Sequence, residues 1–238
     1  MTGPLTAPPL SSDQAGMTYV VIAAYNEGTA IAAVVGELVS TYPHIVVVDD
    51  GSWDDTSIAA RQAGATVLRH AINRGQGAAL QTGITYALQS GAAYIVTFDA
   101  DGQHDPRDIA ALVRPIADGE VDVSLGSRFL AHAHSVPLGR RLLLSAAVMF
   151  TRLTSGLRLT DAHNGLRALS RRAAARIDLK LDRMAHASEI IDQIHHSGLP
   201  YREVAVHVRY TAYSLAKGQR GSAALRVALE YLIGRVMR

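Results

Sequence analysis

The chain has 238 residues, enough to bury one sizeable core, and its 48% hydrophobic and 18% charged residues are typical of a globular protein. It contains no cysteine, which excludes a disulfide scaffold, a thiolate zinc site and a cysteine nucleophile, and which suits the cytoplasm. The net charge of only +2 argues against a uniformly basic or acidic surface, but the charges are distributed unevenly along the chain.

The two halves of the chain carry opposite charge. Residues 1–136 contain six arginines against fourteen acidic residues, whereas residues 137–238 contain fifteen arginines and two lysines against seven acidic residues. An acidic half suits a divalent cation, and a basic half suits phosphate or an anionic membrane surface. We expect no nucleic-acid partner, because the basic half has no recognised nucleic-acid-binding motif and no aromatic stacking platform.

Residues 1–18 are predicted to be a flexible leader, because they are rich in proline and serine and lack the basic start and apolar core of a signal peptide. No uncharged apolar run reaches the length of about 18 residues that a membrane-spanning helix needs. We therefore predict a main domain over residues 19–210, followed by a loop and an amphipathic helix over residues 211–238.

The first half alternates β-branched runs with helical stretches, which predicts a mostly parallel sheet covered on both faces. The predicted strands are Tyr19–Ala24, His44–Asp49, Ala65–His70, Ala93–Asp99 and Val121–Gly126. The predicted helices are Gly28–Thr41, Asp54–Ala63, Gly77–Gln89 and one that begins near Pro106.

After Pro137 the pattern changes to helices with scattered strands. Two helices place arginines among apolar residues, a composition typical of helices at a membrane interface, although packing on the sheet is the alternative. Three histidines of a third helix are interpreted as surface or core residues, since adjacent histidines lack metal-ligand spacing. The predicted elements are Leu138–Thr154, Asn164–Leu169, His186–His196 with its three histidines at 186, 195 and 196, Tyr201–Tyr210 and Ser222–Met237.

Polar clusters follow four of the five predicted strands of the first half. Ligands of open α/β sheets bind at the carboxyl ends of the strands. One such cluster alone is more often a turn or a helix cap, but four at the same edge favour a binding site. The clusters are Ala24–Glu27, Asp49–Ser52 with Asp54, Asp99–His104 and Gly126–Arg128.

The most informative cluster is Asp99-Ala100-Asp101. Carboxylates two residues apart in a turn can converge on one hard cation such as Mg²⁺ or Mn²⁺, which would also take diphosphate oxygens and water. Such a cation would neutralise the negative charge that develops on a departing nucleoside diphosphate.

Taken in order, four motifs resemble those of family-2 glycosyltransferases of the GT-A fold. They are Ala24–Glu27, Val48–Ser52, Asn73–Gly77 and Asp99–Asp101, and the resemblance runs from about Tyr19 to Leu169. It implies a Rossmann-like α/β fold: a mostly parallel central sheet flanked by helices, with a small C-terminal helical and β appendage. It also implies inverting transfer of a hexose or N-acetylhexosamine from a UDP- or GDP-sugar.

The same resemblance implies the donor site. Asp99 and Asp101 would hold Mg²⁺ or Mn²⁺, with Gln103 nearby, and Tyr25 would line the nucleotide pocket unless it is merely a packing aromatic. The full set implied for the nucleotide-sugar is Ala23, Tyr25, Glu27, Asp50, Arg74, Gly75, Asp99 and Ala100.

Later motifs resemble the dolichyl- and polyprenyl-phosphate sugar synthases, and the loop at Tyr213–Gln219 is similar to that of polyprenyl-phospho-N-acetylgalactosaminyl synthases. The other motifs are Gly126–Arg128, Asp161–Ala168 and Arg209–Lys217. The resemblance implies a polyprenyl phosphate acceptor for cell-envelope glycan synthesis, held by Ser127, Arg128, Arg141, Ser145, Arg209 and Lys217.

Asp101, Arg128 and Asp161 are the candidate catalytic residues. A phosphate monoester is largely dianionic at neutral pH, so it needs positioning more than a base. A sugar hydroxyl would need a base, for which Asp161 and Glu189 are candidates. Asp161 could equally orient Arg167 or cap a turn.

Three other functions compete with this interpretation: a transferase acting on a saccharide hydroxyl, a sugar-phosphate nucleotidyltransferase and a non-catalytic binding module. The second lacks its usual Gly-rich loop after the first strand, and intact Asp99 and Asp101 argue against the third. Many members of the family branch carry C-terminal transmembrane helices, and no such segment is predicted here. We therefore hypothesise a peripheral enzyme at the inner face of the cytoplasmic membrane, with a small membrane-protein partner that holds it there.

Overall fold

The computed structural model describes residues 7–132, 157, 159–161, 164–180 and 186–209. These form a seven-stranded sheet in the order β3-β2-β1-β4-β6-β5-β7. The strands are β1 Thr18–Ala24, β2 His44–Asp49, β3 Thr66–Arg69, β4 Tyr94–Asp99, β5 Val123–Ser127, β6 Arg167–Ser170 and β7 Tyr201–Ala205. The helices are α1 Ser12–Gly16, α2 Ile31–Val39, α3 Thr56–Gln62, α4 Gln76–Gln89, α5 Asp108–Ala117, α6 Arg128–His132, α7 Arg171–Ala174 and α8 His186–His196.

All strand pairings are parallel except those of β6, which runs antiparallel to both β4 and β5. Because β6 is antiparallel to both of its neighbours, β4 and β5 point the same way and their carboxyl ends lie at the same edge of the sheet. The predicted α/β fold with a mostly parallel sheet and flanking helices is confirmed.

Each face of the sheet is covered by its own layer of helices. Val21, Ile95 and Leu169 belong to a core shared with α4, α7 and α8, which we call the α4–α8 face. Val20 and Phe98 belong to the opposite core with α2, α3 and α5, which we call the α2–α5 face. Alternation of side chains along a strand sends neighbours to opposite faces, and burial on both faces explains why the strands read as continuous apolar runs.

Two strands have other bounds than the sequence predicts. The strand predicted to begin at Asn164 begins only at Arg167, because the Asn164 side chain accepts a 3.0 Å hydrogen bond from the Leu166 amide and forms a turn. The strand predicted to reach Tyr210 ends at Ala205. The chain then crosses to the β4–α5 turn, where Val208 forms an isolated bridge with His104.

Part of the predicted leader is a short helix. In α1, Ser11 and Gln14 form a capping box, with both reciprocal hydrogen bonds present. Arg114 of α5 donates a 2.6 Å hydrogen bond to the Pro8 carbonyl, which ties the segment to the domain. The division into leader, domain and C-terminal segment stays a prediction.

Several predicted features lie outside the described residues: the helices Leu138–Thr154 and Ser222–Met237, and the candidate phosphate ligands Arg141, Ser145 and Lys217. Among the helices that are described, none is long and apolar enough to cross a membrane.

Candidate active site

The polar clusters meet at one edge of the sheet. β1, β2, β4 and β5 all run in the same direction, so their carboxyl ends lie side by side. The strand order reverses between β1 and β4, since β2 and β3 extend the sheet to one side of β1 and β4 extends it to the other. Such a switch point opens a crevice at the carboxyl ends of the two strands, where α/β proteins bind ligands.

Asp50, which follows β2, anchors the loop before α4. Its carboxylate is 3% exposed and accepts hydrogen bonds from the backbone amides of Arg74, at 2.9 Å, and Gly75, at 2.6 Å. His70 Nδ1 lies 2.7 Å from the same carboxylate, and His70 Nε2 lies 2.9 Å from the Thr82 hydroxyl of α4. Three of roughly four acceptor positions of Asp50 are therefore occupied. The structure thus joins three of the predicted donor residues, Asp50, Arg74 and Gly75.

The loops after β1 and β2 are tied together beside this anchor. The Asn26 amide donates a 2.9 Å hydrogen bond to the Ser52 hydroxyl, and the Trp53 amide donates a 3.2 Å bond to the Asn26 side chain. Asn26 has a φ of 54° and Gly51 a φ of 76°, and an added Cβ at Gly51 would lie 2.8 Å from the Ile72 carbonyl carbon. Close approach of the two backbones therefore requires glycine at position 51.

The other predicted nucleotide residues line the same edge with different exposure. Tyr25 is 44% exposed, so its ring is not buried in the core, and its contact with the nucleotide stays a prediction. Glu27 and Ala100 are buried, and Ala23 is half-buried. Tyr25 is thus the most exposed of these four residues.

Asp99 is the last residue of β4, and Asp101 lies in the turn that follows. Asp99 Oδ2 lies 2.8 Å from His104 Nε2, and the Gln76 side-chain amide donates a 3.4 Å hydrogen bond to Asp99 Oδ1. The Gln103 amide donates a 3.0 Å hydrogen bond to Asp101 Oδ1. Burial raises the pKa of Asp101, and the neighbouring Asp99 charge raises it further, against the lowering effect of the Gln103 amide.

The pKa of Asp99 is shifted the other way. Burial alone would raise the pKa, but the hydrogen-bonded His104 ring, together with the charges of Arg167 and His186, outweighs it and lowers the pKa below its usual value. Asp99 is therefore held ionised, whereas Asp101 gains its charge only against the field of Asp99. A cation between the two would relieve that repulsion.

The two carboxylates fit a magnesium-type centre. No group of three or more His, Asp or Glu side chains that could hold a metal exists within the described ranges. Mg²⁺ commonly takes one or two protein carboxylates and completes its shell with substrate phosphates and water, so two carboxylates suffice. Gln103, the third predicted ligand, contacts Asp101 through its backbone amide.

Arg128 and Asp161 form a buried ion pair at the end of β5. Arg128 Nε donates a 2.6 Å hydrogen bond to Asp161 Oδ2, and the two residues are 8% and 3% exposed. Glu203 of β7 fixes the turn that carries Asp161, accepting hydrogen bonds from the Thr160 amide at 2.8 Å and the Asp161 amide at 3.1 Å. Ser127 joins this turn through its 2.7 Å hydrogen bond with the Thr160 hydroxyl. Of the predicted phosphate ligands, Ser127 and Arg128 are therefore brought together, and Asp161 orients Arg128.

Arg209, also predicted to bind the acceptor phosphate, is engaged elsewhere. Its guanidinium contacts Glu37 at 3.2 Å and Asp105 at 3.0 Å, and its amide donates a 2.7 Å hydrogen bond to the Gln103 carbonyl. These contacts place Arg209 beside the Asp99–Asp101 turn on the α2–α5 face. Binding of phosphate by Arg209 stays a prediction, and it would require both ion pairs to open.

The predicted set of site residues leaves out several residues that contact or influence Asp99. Gln76 lies in the Asn73–Gly77 motif, and His104 is the last residue of the Asp99–His104 cluster. The motifs that contain them therefore mark both residues as candidates. His186, interpreted as a surface or core residue, is buried at the start of α8 and its charge acts on Asp99. No local pattern marks His186, because only the tertiary fold brings α8 to β4.

Comparison with known proteins agrees with this geometry. The family model "Glycosyl transferase family 2" matches residues 19–177. The UDP-N-acetylglucosamine–dolichyl-phosphate N-acetylglucosaminyltransferase of Methanococcus voltae is 33% identical over 85% of this chain and 89% of its own length. The polyprenol monophosphomannose synthase of Mycolicibacterium smegmatis is 32% identical over 68% of this chain and 64% of its own length.

A solved structure shares the fold. The glucosyl-3-phosphoglycerate synthase of Mycobacterium tuberculosis, solved with Mn²⁺, UDP-glucose and phosphoglyceric acid, superimposes with a TM-score of 0.69 at 18% identity, covering 95% of this chain and 86% of that one. At that identity the likeness concerns the fold. The switch-point crevice, the paired carboxylates and the matched family model lead to one conclusion: this chain is an enzyme that belongs to glycosyl transferase family 2.

Proposed function

We propose that this enzyme transfers a hexose or N-acetylhexosamine from a UDP- or GDP-sugar to a polyprenyl phosphate, with inversion at the anomeric carbon. The observation that carries the proposal is the pairing of two charge-complementary sites at one sheet edge. Asp99 and Asp101 offer a cation site at the end of β4, and the Arg128–Asp161 pair offers a guanidinium at the end of β5. One relative is named as a dolichyl-phosphate transferase and the other as a synthase of polyprenol monophosphomannose, which supports a phosphate acceptor.

Asp99 and Asp101 are the residues that would hold Mg²⁺ or Mn²⁺. When bound, the cation supplies positive charge to the departing nucleoside diphosphate. Asp50 contributes on the donor side by fixing the amides of Arg74 and Gly75 at the edge of the nucleotide pocket. Holding that loop before the donor arrives reduces the ordering cost of binding.

The transfer step needs no general base. An oxygen of the lipid phosphate forms the new bond to the anomeric carbon, while the bond from that carbon to the diphosphate oxygen breaks and its electron pair leaves with the nucleoside diphosphate. A phosphate monoester is already ionised at neutral pH. Its placement opposite the leaving group is therefore the main task of the protein.

The arrangement of the two candidate bases disfavours a saccharide hydroxyl acceptor. Asp161 accepts a 2.6 Å hydrogen bond from Arg128 Nε through Oδ2. Glu189 accepts two 3.1 Å contacts from the Lys180 amide and is 1% exposed. Asp161 Oδ2 and both carboxylate oxygens of Glu189 are therefore engaged by structural partners.

We further propose that the enzyme works at the inner face of the cytoplasmic membrane, where a polyprenyl phosphate presents its head group. The excess of arginine after residue 137 suits an anionic lipid surface. A small membrane protein as anchor is part of the same proposal. Full activity of purified enzyme on membrane-embedded acceptor, with neither binding to the vesicles nor an added partner, would contradict both.

The function is tested by incubating the enzyme with Mn²⁺, decaprenyl phosphate and a panel of radiolabelled UDP- and GDP-sugars. We expect one donor to give a glycolipid that releases its sugar in mild acid, as a sugar 1-phosphodiester does. Asp101→Asn should give none, and Asp55→Asn, which alters an exposed carboxylate just before α3, should match the wild type. Absence of labelled lipid with every donor would overturn the proposal.

A further inference from the structure

Arg167 of β6 is a buried cation that lacks a full set of partners. It is 2% exposed, and its Nη1 atom has no hydrogen-bond partner anywhere in the described part of the chain. Burial lowers the pKa of Arg167 to about 10, opposed by the charges of Asp99 and Asp161, so it remains protonated at neutral pH. A buried charge with an unmade hydrogen bond costs stability, so its retention calls for an explanation.

The sheet register places Arg167 beside the reacting groups. Arg167 pairs with Thr97 of β4 and Leu125 of β5, so the three side chains point to the same face. Leu125 belongs to the core of the α4–α8 face, and Asp99 lies two residues beyond Thr97. By the alternation of a strand, Asp99 and Arg167 therefore lie on the α4–α8 face at the carboxyl end of β4.

Other unpartnered polar atoms accompany Arg167. Asp161 Oδ1 and Asn164 Nδ2 are also buried without hydrogen-bond partners among the described residues. Asp161 is the partner of Arg128, and Asn164 lies in the turn just before β6. Several unmet donors and acceptors in one place are the expected state of a site whose polar ligand is not bound.

We propose that Arg167 is a phosphate-binding residue of the transfer reaction, donating to a phosphate oxygen between the Asp99 site and the Arg128–Asp161 pair. Guanidinium matches phosphate oxygens in charge and in donor geometry. The phosphate has two possible sources, the diphosphate of the donor and the head group of the acceptor lipid, and both meet at this point. The acceptor source rests on the proposed function, whereas the donor source requires only nucleotide binding.

The test compares Arg167→Met, Arg167→Lys and the control Arg202→Met in the full-length chain. Arg202 lies on β7, and its ion pair with Glu120 is half exposed on both sides, so its removal should have little effect. Affinity for UDP and GDP with Mn²⁺ is measured by calorimetry, the KM for decaprenyl phosphate by product formation, and folding by thermal unfolding.

Loss of a charged hydrogen bond predicts that Arg167→Met weakens nucleotide affinity or raises the lipid KM by about 10- to 100-fold, with a melting temperature no lower than that of the wild type. Arg167→Lys should recover part of the loss. A changed nucleotide affinity assigns the donor phosphate, and a changed KM alone assigns the acceptor. If both stay within about threefold of the wild type, or if neither variant folds, Arg167 is a structural counter-ion and the proposal is overturned. If the wild type makes no glycolipid, the proposed function fails, but the calorimetric test of Arg167 still stands.

Discussion

The Asp50 anchor gives the sharpest test of how the fold builds the donor pocket. Replacing Asp50 with asparagine keeps the shape of the side chain but substitutes an amide NH₂ for one carboxylate oxygen. The Arg74 amide donates to Oδ1 and the Gly75 amide to Oδ2, so one of these donors must face another donor in the variant. His70, which contacts Oδ1, cannot compensate from its position.

The magnitude follows from the lost contact. A hydrogen bond to a charged acceptor contributes about 1.5–3 kcal/mol, and a buried donor left unpaired costs a similar amount. For a chain of this length each kcal/mol corresponds to roughly 2–4 °C in melting temperature, so Asp50→Asn should melt about 3–12 °C below the wild type. Because the freed loop borders the nucleotide pocket, affinity for the nucleotide should fall as well.

Thermal unfolding and calorimetric titration with UDP or GDP and Mn²⁺ measure the two effects. Asp55→Asn is the matched control, since Asp55 is exposed and its side chain makes no capping hydrogen bond at the start of α3. We expect the control to be unchanged. An Asp50→Asn protein with wild-type melting and wild-type affinity would refute the role of this carboxylate in holding the loop.

Three further variants test the rest of the site. Asp101→Asn should abolish turnover yet raise the melting temperature of the metal-free protein. Because the pKa of Asp101 is raised in the folded state, its negative charge destabilises the fold at pH values above that pKa. The gain in melting temperature should therefore vanish as the pH falls through the folded-state pKa. A lower melting temperature at neutral pH would contradict this. A Cβ at Gly165 would overlap the Asp99 carboxylate, so Gly165→Ala should lower kcat by about 100-fold; wild-type kcat would show that Asp99 need not sit where it does. Glu203→Gln should loosen the turn of Asp161 and raise the KM for lipid phosphate about 5- to 30-fold, with donor affinity unchanged. An effect on donor affinity alone would contradict the assignment of that turn to the acceptor side of the site.

The parts of the fold that sequence predicts well are those with local signals. β2 and β4 are apolar runs that end in an aspartate, and β1 is an apolar run followed by Tyr25 and Asn26. Gly198 and Pro200 mark the end of α8. Asp99 is the last residue of β4 and Asp101 lies just after it, so their position beside the loops after β1 and β2 follows from the parallel pairing alone. Their position at the sheet edge can therefore be inferred from the amino-acid pattern.

The remainder depends on contacts between distant segments. The antiparallel insertion of β6 between β4 and β5 is invisible locally, yet it brings Arg167 beside Asp99. The partners of Arg209 are likewise unpredictable, because Glu37 and Asp105 come from α2 and from the turn before α5. Such pairings are set by packing of whole elements, and no single window of sequence contains them.

In the proposed reaction an ionised lipid phosphate attacks a donor whose leaving group is neutralised by a cation at Asp99 and Asp101. It is tested most directly by supplying the active donor with either decaprenyl phosphate or decaprenol, each with Mn²⁺ and with excess chelator. We expect labelled glycolipid only from the phosphate with Mn²⁺. Transfer to decaprenol, or equal transfer to the phosphate in chelator, would contradict it.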